Sequence, residues 1–245
     1  PVFVNHFQKY AEDIFTKFNL NSNSLVVDIG SNDGILLSPF KKLGVRILGV
    51  DPAEKIARQA SKRGIETWGS YFNPEVAAKI EKKYGVASII TANNVFAHVH
   101  DLDNLVTAVK LLLDKDGVFV IEAPYLVDFI EKNLFDTVYH EHLSYLSVRP
   151  LTTLFERHGM EVFDAIRTSA HGGSIRVFIK KLEGKHKAKS TVLKMVEEEK
   201  SLGLSKIKTY SDFASKIEQN KHDLLKLLKA LKGQGKIIVG FGAPA

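Results

Sequence analysis

Between Phe135 and Tyr145 the chain reads FDTVYHEHLSY, which gathers Tyr139, His140, Glu141, His142 and Tyr145 into one short stretch. A histidine changes charge near neutrality and can take or return a proton, while a tyrosine or a carboxylate can orient it or hydrogen-bond a developing oxyanion. Such a set suits acid–base chemistry. It equally suits a metal held by His140 and His142 with a third ligand such as His98 or His171, although no carboxylate is obviously placed to complete a facial triad. A polar loop without chemistry is the third reading. In an extended backbone Tyr139 and Glu141 would face one way and His140 and His142 the other; a turn would bring Tyr139 to His142. A loop or helix start is expected here.

A second constellation lies near the start. In VVDIGSNDG, Asp28 ends an apolar run, and Gly30 and Gly34 bracket a turn where a backbone can approach a ligand closely. Asn32 occupies the place of a middle glycine, and the dinucleotide spacing G-x-G-x-x-G is not met. Asp51 ends the next apolar run, where a carboxylate can accept both ribose hydroxyls of an adenosine-bearing cofactor. Asp28 and Asp33 suit a cationic sulfonium donor better than the pyrophosphate of NAD, which calls for a glycine-rich helix N-terminus. Ser70 and Tyr71 of WGSYF fall where an adenine would lie. Asn93 and Asn94 of TANNVFAHVHD fall where an amino-acid end would lie. HGGSIR offers backbone amides with His171, Ser174 and Arg176 for a diphosphate or sugar hydroxyls, or is simply a hairpin turn. Glu122 closes the fifth apolar run, among ligand-facing groups or paired with a neighbouring base.

These residues need a scaffold. Phe7, Tyr10, Ala11, Ile14, Phe15 and Phe18 recur at helical spacing and predict an opening amphipathic helix. SLVVDIG, VRILGVD, ASIITANN and GVFVIEAPY are apolar throughout and alternate with helical stretches such as LDNLVTAVKLLLDKDG. That rhythm predicts an α/β, doubly wound and mostly parallel sheet covered on both faces. After Pro150, a helix closing near Gly159 precedes MEVFDAIRT and SIRVFIKK, an expected antiparallel pair that extends or caps the sheet. Helical spacing returns from Ser190 to Gln234, with Ser211 as N-cap and Leu224, Leu227, Leu228 and Leu231 on one stripe. GKIIVGFGAPA then reads as a strand entering a glycine turn, the opening of a truncated second Rossmann-like unit. The expected division is 1–185 for the nucleotide-binding domain and 186–245 for a helical linker and that unit.

With 245 residues, 44% of them hydrophobic, the chain can bury a full core. Its apolar runs are interrupted well short of the roughly 18 residues a membrane span needs, and no secretory signal pattern opens it; a cytoplasmic, membrane-free protein is expected. It has no cysteine, so any metal here must use His, Asp or Glu. The net charge of +6 comes largely from lysines interspersed with apolar residues and glutamates after Lys180, a solvated helix face rather than a nucleic-acid surface.

Taken together, DIGSNDGILL, GVDPA, NNVFAHVHDLDN, FDTVYHEHLSY, HGGSIRVF and GFGAPA resemble the sugar C-methyltransferases of deoxysugar biosynthesis, over most of the chain. The resemblance implies a class I methyltransferase fold with S-adenosylmethionine as donor. The implied acceptor is a dTDP-type 4-keto sugar. It also implies a catalytic set of His142 as general base, Tyr139 and Glu141 in support, and His98 lining the same pocket. Cofactor contacts fall to Asp28, Gly30, Asn32, Gly34, Asp51, Ser70, Tyr71, Asn93 and Asn94; acceptor contacts fall to His171, Ser174 and Arg176. Zinc belongs to a family N-terminal domain with paired cysteines that this chain lacks. Another small-molecule acceptor, or a non-catalytic nucleotide-binding module, is the alternative. Oligomeric state is not legible.

Overall fold

The computed structural model describes residues 2–242, with the backbone but not the side chains of Val2, Phe3 and His171. Helix α1 (Val2–Lys17) buries Tyr10, Ala11 and Ile14 on the expected stripe. There follow β1 (Leu25–Ile29), α2 (Leu37–Lys42), β2 (Arg46–Asp51), α3 (Glu54–Lys62), β3 (Thr67–Gly69), α4 (Pro74–Tyr84) and β4 (Ala87–Asn93). Next come α5 (Leu102–Leu112), β5 (Leu113–Pro124), α6 (Leu126–Glu131), α7 (Val148–Arg157), β6 (Met160–Thr168), β7 (Ser174–Lys181), α8 (Ser190–Ser201) and α9 (Ile207–Gly233). The strands form one seven-stranded sheet in the order β3-β2-β1-β4-β5-β7-β6.

The sheet is parallel from β3 to β5, and β7 then pairs antiparallel with both β5 and β6. Apolar side chains alternate between two cores. One lies against α1 and α2; the other lies against α4, α5, α7 and α8. Burial on both faces explains why β1 reads LVVDI with no polar alternation. The carboxyl ends of β1, β2, β4 and β5 therefore share one edge, with the order reversing between β1 and β4. That is where a doubly wound sheet opens its crevice.

Several expectations shift. β3 is three residues of the stretch read only as a ligand neighbour, too short to show a pattern. β5 begins at Leu113, not after Gly117, because Ala87 pairs with Leu113 across a bulge. Ser211 lies inside α9, whose N-cap is Lys206; the break comes earlier, at Gly203 with φ +70°. The leucine stripe of α9 is largely exposed at Leu224 and Leu227. Lys236–Phe241 forms no strand among the described residues, since no neighbouring backbone completes a ladder there. Ala243–Ala245, the end of the GFGAPA motif, lie outside the described residues.

One distant pairing fixes the start of α7. Ser147 at its N-cap makes no side-chain capping bond, and buried Glu199 of α8 replaces it, accepting from the backbone N–H groups of Val148 at 2.5 Å and Arg149 at 3.0 Å. A carboxylate there satisfies orphan amides and meets the positive end of the helix. The Tyr125 hydroxyl donates to the same carboxylate at 3.0 Å, joining the end of β5 to α7 and α8.

Candidate active site

The crevice holds two cavities that share Gly30, Asn94 and Val95, a larger one of about 590 Å³ and a smaller one of about 450 Å³. Gly30 has φ +68°, and a Cβ there would fall onto Val95 Cγ2. Gly34 has φ +83°, and a Cβ would meet Ile65 Cγ2 at 2.7 Å. Asn32, the apparent departure from a glycine pattern, adopts φ +50°, a left-handed conformation that asparagine tolerates well. The turn thus keeps its geometry without the middle glycine.

Asp51 closes this turn. Its Oδ2 accepts from Asn32 N–H and its Oδ1 from Ala53 N–H, both at 2.8 Å. A carboxylate has about four acceptor sites, so lone pairs remain on the side that lines the larger cavity. Asp28 is buried on β1 and accepts from the Thr91 hydroxyl at 2.6 Å. Burial pushes its carboxyl up to about 7, against the Thr91 hydrogen bond and with the help of the Asp51 charge. Ser70 and Tyr71 stand at the rim of the larger cavity, Tyr71 being 76% exposed. Asn93 lines the smaller cavity, and Asn94, with φ +54°, lines both.

The segment after Phe135–Thr137 forms the expected turn, with His142 N–H donating to Tyr139 O at 3.0 Å. It is tied to the turn after β4 by Leu143 N–H, which donates to Ala97 O at 2.9 Å, and to the residue after β5 by the Tyr125–Leu146 bridge. Tyr139 Oη lies 2.9 Å from His142 Nε2, and His142 Nδ1 lies 2.8 Å from the carbonyl oxygen of Thr137. A carbonyl only accepts, so Nδ1 carries the hydrogen; in the neutral ring Nε2 is then the basic lone pair and accepts from Tyr139. His98, which lines the larger cavity, meets the His142 ring edge-on at 4.9 Å between centroids. Tyr139, His142 and His98 are therefore together. Glu141 is exposed and has no partner among the described residues. Among them no three His, Asp or Glu side chains converge as metal ligands.

Ser174 and Arg176 are held by the protein itself and not presented to a ligand. Ser174 is fully buried and its hydroxyl donates to Ala170 O at 3.0 Å. Arg176 is buried and donates to Glu122 Oε2 through Nε at 2.8 Å and Nη2 at 2.7 Å. The glycines before them serve packing, Gly173 lying against Asp128 and Gly172 against Leu134. The side chain of His171 lies outside the described residues. Glu122 has a second partner unseen in the sequence, His6 Nε2 at 2.5 Å. Thr91, Phe7, Asp101 and Asn104 also border the cavities or their carboxylates without a motif to announce them.

A family model described as a methyltransferase domain matches residues 4–165, more than half of the chain. The chain belongs to the methyltransferase family. A second model, the C-methyltransferase C-terminal domain, matches residues 169–245 of this methyltransferase chain. C-methyltransferase NovU of Streptomyces niveus is 38% identical over 241 residues, which is 98% of this chain and 57% of that protein. A ubiquinone biosynthesis O-methyltransferase of Bartonella quintana is 23% identical over 160 residues, 59% of this chain and 63% of that protein. The chain thus spans about three fifths of these relatives. Among solved structures, the YcgJ protein of Bacillus subtilis superposes with a TM-score of 0.53 at 13% identity, covering 72% of this chain and 99% of that one. Magnesium protoporphyrin IX methyltransferase of Synechocystis with bound SAH gives 0.52 at 13% identity, covering 71% and 83%. These likenesses establish the class I methyltransferase fold. No helix among the described residues is long and apolar enough to cross a membrane.

Proposed function

We infer that the chain is the donor-binding and catalytic part of an S-adenosylmethionine-dependent C-methyltransferase whose acceptor is a nucleotide-linked keto sugar. The observation that carries this reading is the Tyr139–His142 pair, with a fixed tautomer, beside a cavity edged by Asp51 and His98. The residues fit the donor: Asp51 keeps acceptor sites for ribose hydroxyls, Phe72 and Leu105 give the larger cavity apolar walls, and Asn93 brings an unpartnered buried amide to the other end. When bound, the donor supplies an electrophilic methyl group.

The protein's part is to make the acceptor carbon nucleophilic. His142 Nε2 takes the proton alpha to the acceptor carbonyl as Tyr139 turns its hydroxyl from Nε2 to the carbonyl oxygen. A protonated Nε2 can no longer accept from Tyr139, so the phenol stays on the enolate oxygen, the group that most needs a donor. Thr137 O holds Nδ1–H throughout and keeps the imidazole in place. His98 borders the ring and limits where the acceptor can sit.

The test uses full-length protein with a dTDP-linked 4-keto sugar in deuterated water, without donor. Exchange of the proton alpha to the ketone, followed by nuclear magnetic resonance and lost in His142→Ala, is expected. Absence of exchange together with intact S-adenosylhomocysteine (SAH) binding would sink the enolate reading and favour a different acceptor. Absence of SAH binding would favour a non-catalytic nucleotide-binding module.

A further inference from the structure

Helix α1 contributes more than a core stripe. His6 Nε2 reaches Glu122, Arg176 joins the same carboxylate, and the Arg176 guanidinium lies 3.8 Å from the centre of the Tyr10 ring. These contacts pin α1 across β5 and β7, and Tyr10 stands beside Asn93 at the end of β4. Tyr10 is 1% exposed, and its hydroxyl has no hydrogen-bond partner. The nitrogen and the oxygen of the Asn93 amide are likewise buried and unpartnered. The Asn93 amide is close enough to act on the hydroxyl as a hydrogen-bond donor that lowers its pKa, but the pair misses full hydrogen-bond geometry in the ligand-free chain. Three orphan polar atoms at one spot destabilise the ligand-free fold, and native proteins rarely keep such atoms without a use. Burial also holds the phenol protonated, raising its pKa well above the usual value.

Asn93 lines the smaller cavity beside Gly30 and Asn32. Asp28, on the neighbouring strand, lines it too and suits a cation at this end. We propose that Tyr10 is a positioning residue for Asn93. In the bound state Asn93 Nδ2–H donates to Tyr10 Oη, and Asn93 Oδ1 is thereby turned to accept from the α-ammonium of the donor's amino-acid end. This rests on the donor reading above and adds to it a group that selects nucleosides carrying an α-amino acid over those lacking one.

The test is calorimetric titration of the full chain, wild type and Tyr10→Phe, with SAH and with 5′-methylthioadenosine, which lacks the amino acid. The variant should bind SAH about 10-fold more weakly, the scale of one lost net hydrogen bond, and bind methylthioadenosine unchanged. Its ligand-free melting temperature should be equal or higher, since an orphan hydroxyl has gone. In an Asn93→Ala background, Tyr10→Phe should cost SAH nothing further. Equal weakening of both nucleosides with a lower melting temperature would reduce Tyr10 to a packing role and overturn the proposal. So would SAH affinity unchanged by the substitution. Wild-type protein that binds neither nucleoside would overturn the donor reading and this proposal with it.

Discussion

Tyr139 Oη and His142 Nε2 are 2.9 Å apart, and the carbonyl of Thr137 on the far side of the ring decides which of them donates. The pair therefore has one basic lone pair and one movable hydroxyl. His142→Ala should lower methyl transfer by about 100-fold to 10,000-fold, the range of a general base. Tyr139→Phe should cost about 100-fold, as for a lost oxyanion donor. Neither should change SAH affinity. Single-turnover rates beside calorimetry check this, and a Tyr139→Phe enzyme of undiminished rate would remove the phenol from the chemistry.

Asp51 divides its carboxylate between the turn and the larger cavity. Asp51→Asn keeps the shape but loses charge and an acceptor. It should weaken SAH by about 10-fold to 100-fold, the scale of a charge-assisted hydrogen bond. Part of the loss should appear as lower stability, because one of the two backbone N–H groups then faces an amide NH2. Thermal melts with and without SAH separate the two effects.

Gly30 is held twice, by a left-handed φ and by Val95. Gly30→Ala should destabilise by roughly 1–3 kcal/mol from the backbone alone, with a further ~1–3 kcal/mol from overpacking. Adding Val95→Ala should remove the second part and leave the first. Urea midpoints at constant slope measure it; full recovery in the double variant would show that φ carries no penalty.

Asp28 makes a pH prediction. Its carboxyl is pushed up to about 7 from an ordinary 3.8, so across that window the folded chain holds a proton that the unfolded chain has released. Stability conferred at low pH is lost as pH rises through the window, on the order of 4 kcal/mol at full effect. His186 works the other way: burial lowers its pKa, so its contribution is lost as pH falls below its unfolded value. The difference between Asp28→Asn and wild type isolates Asp28. The variant should gain relative stability from pH 4 to 7 in urea titrations, and a flat difference would mean that folding leaves the proton affinity of Asp28 unchanged.

How far the sequence carries is clear from particular residues. β1, β2, β4 and β5 are legible because burial on both faces leaves uninterrupted apolar runs. Asp51 and the turn near Gly30 are legible because strand ends collect ligand-facing groups. Asn32 looked like a defect only because conformation is invisible in a glycine count; its φ of +50° does what a glycine would do. His6–Glu122 spans 116 positions and Glu199–Val148 spans 51, distances at which no local pattern announces a partner. The same blindness made Arg176 look available for a ligand when Glu122 already held it. Lys236–Phe241 has strand composition, but composition supplies no neighbour to pair with.

The β6–β7 hairpin bears on how such enzymes can exchange parts. The two family matches meet between residues 165 and 169, at the end of β6. Yet β7, from the second match, is inserted between β5 and β6, from the first. A chimaera joined at that seam would replace an interior strand of its host sheet, and every cross-strand contact on either side would have to be matched anew. Crossing over at the Gly203 turn, between α8 and α9, leaves all seven strands with one parent. The segment beyond α8 would then be exchanged by cutting a helical joint rather than by breaking a dovetail.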